Sequence, residues 1–208
     1  MIIIGLTGLI ASGKTTVSEM FTAKSIPVHN ADKVVHRLLG PHGDAIEKII
    51  TAFGAEMGDF ETGIDRGKLG AHVFADKKAR SILESILHPM VSDDRDDFLQ
   101  MHRQASTPFV VLDIPLLFET GGDKLCDYVI VTNAHADTIA DRALSRPGMT
   151  RSKLAGILQN QMPATDKIAR ADLVLDTDMS IAQTQAQLES WLEILALARA
   201  EQNKPRSV

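Results

Sequence analysis

The sequence predicts a three-layer α/β sandwich around a five-stranded parallel sheet. Three observations carry that prediction. Five short apolar segments are separated by helical patterns. A phosphate-binding loop follows the first segment. One spacing between segments is far longer than a single crossover needs.

The first strand is Ile2–Leu6, a β-branched run that reads as buried. Gly8-Leu-Ile-Ala-Ser-Gly-Lys-Thr15 follows and fits G-x-x-x-x-G-K-[ST] at every fixed position. Thr16-Val17-Ser18-Glu19-Met20-Phe21 then continues as helix. The spacing has a physical cause. Successive N–H groups must turn inward to form an anion nest, and glycine permits the backbone angles this requires. The helix N-terminus adds unpaired N–H groups and the positive end of its dipole. Gly8, Ala11, Ser12, Gly13, Lys14, Thr15 and Thr16 are therefore the expected ATP-binding residues. Lys14 would reach the outer phosphates, and the Thr15 hydroxyl is placed for Mg²⁺ carried with ATP.

The second strand is Ile26–His29, and Asn30-Ala31-Asp32 stands at its end. Then comes the long spacing, with helical patterns over Ala31–Leu39, Ala45–Phe53, Lys68–Phe74, Lys77–Leu87 and Met90–Arg103. It reads as a helical insertion covering roughly residues 33–105. Asp93, Asp94, Asp96 and Asp97 within it read as a solvated helix face rather than a metal site. The third strand, Phe109–Leu112, ends in Asp113, as a Walker B strand ends in a carboxylate near Mg²⁺; the alternative is a turn residue. The fourth strand is Tyr128–Val131, ending at Asn133 to His135. Ligands bind beyond the carboxyl ends of such strands, so these groups should converge.

Helical patterns at Thr138–Leu144 and Thr150–Gln161 flank the break Arg146-Pro147-Gly148. Arg142 and Arg146 are four apart and share a helix face, with Arg151, Lys153, Lys167 and Arg170 nearby. The pattern suits a basic lid over a triphosphate, spanning roughly residues 138–170, and equally an ordinary solvated helix pair. The fifth strand is Leu173–Leu175. Ile181, Leu188, Trp191, Leu192 and Leu195 then recur at helical spacing as a core stripe. Residues 1–200 read as one domain, and residues 201–208 as a frayed polar tail.

Composition narrows the function classes. The chain has 208 residues, a formal charge of −5 and 44% hydrophobic residues, which allows a proper core and argues against a nucleic-acid surface. Cys126 is the single cysteine and fits a reducing cytosol, where it would serve as a small apolar residue near a strand. The N-terminal apolar run is short and lacks a basic leader, and no stretch reaches membrane-spanning length, so a cytoplasmic protein is expected. None of the seven histidines pairs at H-E-x-x-H spacing, which disfavours a structural zinc.

Phosphoryl transfer to a hydroxyl needs a group that orients or deprotonates the acceptor. Asp32 is the candidate catalytic residue beside Lys14; its bland alternative is the N-cap of a helix over Lys33–Leu39. A GTPase switch is disfavoured. Asp113-Ile-Pro-Leu116 is not Asp-x-x-Gly, and Thr132–Asp137 lacks the lysine of a guanine-reading segment. An ATP-dependent assembly factor remains a rival that substrate-dependent ADP release would exclude.

The motifs also line up with a known family. Ile4-Gly-Leu-Thr-Gly8 through Val17 resembles the start of dephospho-CoA kinases, as does Val28-His-Asn-Ala-Asp32. Asp65-Arg66, Leu69, Leu87-His88-Pro89 and Val111-Leu-Asp-Ile-Pro-Leu-Leu-Phe-Glu119 follow in order. Arg142, Arg146, Gln161-Met162, Lys167 and Ala171-Asp172 complete the match over nearly the whole chain. The resemblance implies ATP-dependent phosphorylation of the ribose 3′-hydroxyl of dephospho-CoA, the last step of coenzyme A synthesis. It implies a nucleotide core with a helical acceptor-binding insertion and a lid. Asp32 matches the catalytic aspartate. Arg66, His88, Asp113 and Leu116 fall on the acceptor side with Asp32, and Arg142 and Arg146 match lid positions near ATP. ATP and dephospho-CoA are then the expected partners, with no nucleic acid, membrane or obligatory protein partner. The chain departs from the family's pattern in four places. Leu9 and Ala11 replace loop glycines, Asn30 replaces a first aspartate, and Thr177 replaces a late asparagine.

Overall fold

The structure is a computed structural model that describes residues 1–202, with backbone alone for Phe74, Ala75, Glu201 and Gln202. Residues 203–208 of the expected tail lie outside the described residues, while Glu201 and Gln202 still belong to the last helix. Residues 29–107 form one compact unit, and residues 2–28 with those from 108 onward form the other.

The sheet-bearing unit opens with β1 (Ile2–Gly8), whose residues from Ile3 onward are all buried. Its β-branched start suits a strand covered on both faces. α1 (Lys14–Ala23) follows the loop, and β2 (Val28–Asn30) leads to α2 (Ala31–Leu39). Continuing along the chain come α3 (Ile46–Phe53), the short pair β3 (Gly58–Asp59) and β4 (Gly63–Ile64), α4 (Arg66–Ala75) and α5 (Lys77–Gln104). Then follow β5 (Phe109–Asp113), β6 (Tyr128–Asn133), α6 (Ala136–Leu144), α7 (Arg151–Gln159), α8 (Ala164–Ala169), β7 (Leu173–Asp176) and α9 (Ile181–Gln202).

The five strands that the sequence predicts lie in one sheet, in the order β2-β5-β1-β6-β7. The pairings β1–β5, β1–β6 and β6–β7 run parallel, with Leu6 opposite Asp113 and Gly8 opposite Thr132. Alternation along β6 defines the layers. Ile130 packs into a cluster with Ile4, Leu6, Val17 and Phe21 of β1 and α1 and Leu188 of α9. Val129 and Val131 face Leu117, Phe118 and Ile168 instead.

In the other unit, α2 to α5 surround Val34, Leu38, Ile46, Ile49, Phe53, Leu69 and Leu87. Two helices were expected from Lys77 to Arg103, broken at Pro89. One 28-residue helix is found, with Pro89 inside it. An internal proline costs about 3 kcal/mol through its missing N–H and ring clash. Leu83, Ile86, Leu87, Met90 and Val91 flank it and pack on the apolar cluster, which outweighs that cost. The β3–β4 pair and α8 carry too few residues for a periodic signal and were not expected.

Two further expectations need correction. Ile181 is 67% exposed rather than part of the α9 core stripe, whereas Leu188, Leu192 and Leu195 are buried. Asp94 is not on a freely solvated face: it is paired with His29 and Arg37. Among the described residues no helix is long and apolar enough to cross a membrane.

Candidate active site

The loop between β1 and α1 is built around two close approaches. A Cβ on Gly8 would stand 2.2 Å from Thr132 Oγ1 and 2.4 Å from Ser12 Oγ, so only glycine fits. Those two hydroxyls are 2.7 Å apart, and Thr132 Oγ1 also lies 3.3 Å from the Thr7 carbonyl. The loop is thereby tied to the carboxyl end of β6. Gly13 has φ 87°, and a Cβ there would meet Thr177 at 2.9 Å. No side chain caps the start of α1, so its first-turn N–H groups keep their character as an anion site. Ala11 also sits at positive φ, 61°, in the left-handed region that favours glycine.

Lys14 forms an ion pair with Asp113, the last residue of β5. Asp113 is 1% exposed, so the pair is largely removed from water. The sequence placed Lys14 toward ATP and Asp113 toward Mg²⁺ or the acceptor; their pairing was not foreseen. Just beyond, Thr7 Oγ1 donates to the Pro115 carbonyl at 3.0 Å. Leu116 follows and is partly exposed. Thr15 is exposed in the first turn of α1, and Thr16 is half-buried beside it.

A second network supports the loop. Thr177 Oγ1 lies 2.9 Å from the Ser12 carbonyl and 3.0 Å from that of Asn133. Arg142 of α6 donates to the Thr177 carbonyl at 2.7 Å and approaches its hydroxyl at 3.2 Å. Thr177 thus joins the loop, the end of β6 and α6. Its signal in the sequence was the departure from asparagine, which gave no hint of this joining role. Arg146 is exposed and lies two residues beyond the last residue of α6, Leu144, so it does not share a helix face with Arg142 as expected: the helix ends before the Arg146-Pro147-Gly148 break.

Ala11, Ala143 of α6 and Leu154 of α7 share an apolar cluster with Ile10 and Leu158. The Ile10 N–H donates to Gln161 Oε1 at 3.0 Å. The neighbouring Met162 N–H donates to Glu119 Oε1 at 2.7 Å. Lys167, fully buried, places its Nζ 2.9 Å from Glu119 Oε1 and 3.1 Å from Oε2. Burial works to raise the Glu119 carboxyl, but the Met162 N–H and the Lys167 ammonium outweigh it and hold the group below its ordinary value. Gln161, Glu119 and Lys167 appear in the resemblance motifs, yet only the folded chain assigns them this supporting work.

Of the acceptor-side candidates, Asp32, Arg66 and His88 belong to residues 29–107, whereas Asp113 and Leu116 belong to the other unit. Asn30 caps α2, its side chain accepting from Lys33 N at 2.9 Å. The cap reading of Asp32 therefore falls. Asp32 stands in the first turn of α2, exposed. Arg66 opens α4 just after its cap Asp65, whose carboxylate accepts from Gly67 N at 2.9 Å and Lys68 N at 3.0 Å. His88 precedes Pro89 on α5. Arg66 and His88 are exposed, and neither they nor Asp32 makes a side-chain hydrogen bond or ion pair among the described residues.

The family is decided by comparison with known proteins. The family model described as dephospho-CoA kinase matches residues 2–183. The dephospho-CoA kinase of Mesorhizobium japonicum is 44% identical over 195 residues, covering 94% of this chain and 97% of that one. This chain belongs to the dephospho-CoA kinase family. The family catalyses the final step of coenzyme A biosynthesis, ATP-dependent phosphorylation of dephospho-CoA. Among solved structures, a Thermus thermophilus protein superposes with TM-score 0.78 at 29% identity, covering 93% of this chain and 97% of that one. The dephospho-CoA kinase of Campylobacter jejuni gives TM-score 0.70 at 26% identity, covering 95% and 98%. The family's kinase chemistry accounts for a phosphate loop built on so many fixed contacts.

Proposed function

We infer that this chain transfers the γ-phosphoryl group of ATP to the ribose 3′-hydroxyl of dephospho-CoA, giving coenzyme A and ADP. The observation that carries the reading is the phosphate loop, set between β1 and α1 and locked to the end of β6 through Ser12 and Thr132. In this reading Gly8 to Thr16 cradle the triphosphate with backbone N–H groups and the α1 N-terminus. Lys14 supplies positive charge to the outer phosphates, with Asp113 holding it in readiness. Arg142 and Arg146 bring further charge from a lid of roughly residues 138–170. Arg142 commits two nitrogens to Thr177, and its planar fork carries five donors.

Asp32 accepts the proton of the 3′-hydroxyl as that oxygen bonds to the γ-phosphorus and the bond to ADP breaks. Its carboxylate, exposed and without a hydrogen bond or ion pair among the described residues, suits the role. The reading assigns acceptor contacts to Arg66 and His88 of residues 29–107, and also to Asp113 at the end of β5 and Leu116 after it. The exposed Thr15 hydroxyl fits Mg²⁺, which takes oxygen ligands and is held mostly by nucleotide phosphates. Bound there, it would neutralise charge on the phosphates. The reading places the enzyme in the cytoplasm, and it requires no nucleic acid, membrane or second protein.

A coupled ADP-release assay with Mg²⁺ and ATP tests it over dephospho-CoA, nucleoside monophosphates, shikimate, gluconate and pantothenate. Dephospho-CoA should give the highest kcat/KM; a higher value with any other acceptor overturns the assignment. In Asp32→Asn, kcat should fall at least about 10²-fold while ATP affinity and melting temperature hold. A kcat within a few-fold of the parent would remove Asp32 from the chemistry.

A further inference from the structure

His29 is a buried titratable side chain that the transfer reaction does not use. Its side chain is 4% exposed, and its Nε2 lies 2.9 Å from Asp94 Oδ1. The other Asp94 oxygen takes the Arg37 guanidinium. One carboxylate of α5 thus holds both β2, through His29, and α2, through Arg37. Phe98 stands one turn further along α5, its ring centroid 5.4 Å from the imidazole. Arg95, the next residue after Asp94, is the other charge near the ring. His29 Nδ1 has no hydrogen-bond partner among the described residues. Leaving a buried polar atom unpaired is unfavourable, and an apolar side chain would avoid that cost.

The clamp sits at a junction without slack. β2 ends at Asn30 and α2 begins at Ala31, with no residue between them. Asp32 is the second residue of α2, and its side chain makes no hydrogen bond or ion pair among the described residues. Its carboxylate therefore stands wherever the junction backbone puts it. Asn30 fixes that backbone as the cap of α2, its side chain accepting from Lys33 N. His29 and Arg37, both on Asp94, fix it to α5.

We propose that His29 is a positioning residue for phosphoryl transfer, locking the β2–α2 junction onto α5 through Asp94 and so setting where the Asp32 carboxylate stands. This rests on the reading of Asp32 as the base. A misplacement near 1 Å at a reacting group can cost about 10²-fold in rate. Substitution of His29 should therefore act on kcat rather than on ATP binding.

The test compares His29→Leu and His29→Gln, each in the parent and in the Asp32→Asn background, using the full-length enzyme. In the parent, His29→Leu should lower kcat about 10-fold or more and leave the ATP dissociation constant within about twofold. His29→Gln keeps an N–H that can reach Asp94 and should restore kcat to within about threefold. In Asp32→Asn, His29→Leu should change the residual kcat by less than about twofold, since nothing remains to be positioned. An unchanged kcat in folded His29→Leu would overturn the proposal. So would an equal loss in both backgrounds, which marks general damage, or a Gln variant as slow as Leu. If Asp32→Asn alone keeps near-normal kcat, the base assignment fails, and that failure is visible before any His29 variant is read. Should His29→Leu not fold, Asp94→Ala in both backgrounds carries the same test, because it removes the carboxylate that holds His29 and Arg37.

Discussion

Around the phosphate loop, polar side chains are already engaged. Ser12 meets Thr132, Lys14 meets Asp113, Arg142 meets Thr177 and Lys167 meets Glu119. In residues 29–107 the corresponding candidates, Asp32, Arg66 and His88, are exposed and make no such contacts among the described residues. Under the proposed function, the difference follows from what each region would do. An anion nest stabilises transition-state charge only if its donors are fixed beforehand. Groups that receive a large acceptor must stay open to it. Substitutions beside the loop should therefore cost stability as well as activity, whereas those at the exposed acceptor residues should cost activity alone.

The largest effect belongs to the buried pair behind the loop. Lys167→Met removes a fully buried cation from a carboxylate that also holds Met162 N. Breaking such a pair by removing one partner costs roughly 3–5 kcal/mol; Glu119 keeps some access to water, so about 3 kcal/mol is expected. Urea denaturation measures it. Glu119→Leu with Lys167→Met should recover at least half the loss, because no charge is left behind. A Lys167→Met protein as stable as the parent would break the comparison, for the loop region would then tolerate change as the exposed residues of 29–107 are expected to.

How far the sequence could show this division depends on the range of each contact. The five strands and the loop were legible because β-branched runs and glycine spacing are local signals. Helix α2 was legible too, yet its cap was not: Asn30 and Asp32 are both good caps, and only the start of the helix at Ala31 separates them. Pro89 reads as a stop, but packing of residues far apart in sequence carried α5 through it. Lys14 and Asp113 are 99 positions apart, and Lys167 and Glu119 are 48 apart. No spacing rule joins such pairs; the parallel order of β5, β1 and β6 does. His29 looked like a strand residue for the same reason.

A smaller effect separates the two regions by pH. Burial holds His29 below its ordinary value of 6.5, against the opposing pull of Asp94. Between the folded and unfolded values the unfolded chain binds more protons. The stability due to the neutral ring is therefore present above pH 6.5 and declines as pH falls below it. Glu119 is held below 4.5, so its contribution is present above that value and is lost at lower pH, as its folded value is passed. Melting temperature should thus fall in two windows. His29→Gln should flatten the upper one and Glu119→Gln the lower. An upper window unchanged in His29→Gln would assign that proton uptake elsewhere.

The smallest effect is expected at Ala11, a non-glycine residue with positive φ in the loop. The left-handed backbone at φ 61° costs a non-glycine residue roughly 1–2 kcal/mol. Two effects oppose a change to glycine. The unfolded chain gains freedom, which weakens the folded state by about 0.5–1 kcal/mol. The Ala11 methyl, packed with Ala143 and Leu154, is lost, at about 0.8 kcal/mol for a buried carbon. These nearly cancel the relief of strain, so Ala11→Gly should move stability by less than about 1 kcal/mol, or a few degrees in melting temperature. The comparison becomes sharper through the sign. A gain means that backbone strain outweighs the other two and that the methyl contributes little to holding α6 and α7. A loss beyond about 2 kcal/mol would mean that the apolar contact with those helices, and not the hydrogen bonds alone, keeps the loop in shape. In the second case ATP affinity should fall along with stability, since the same methyl would be fixing the donors of the nest.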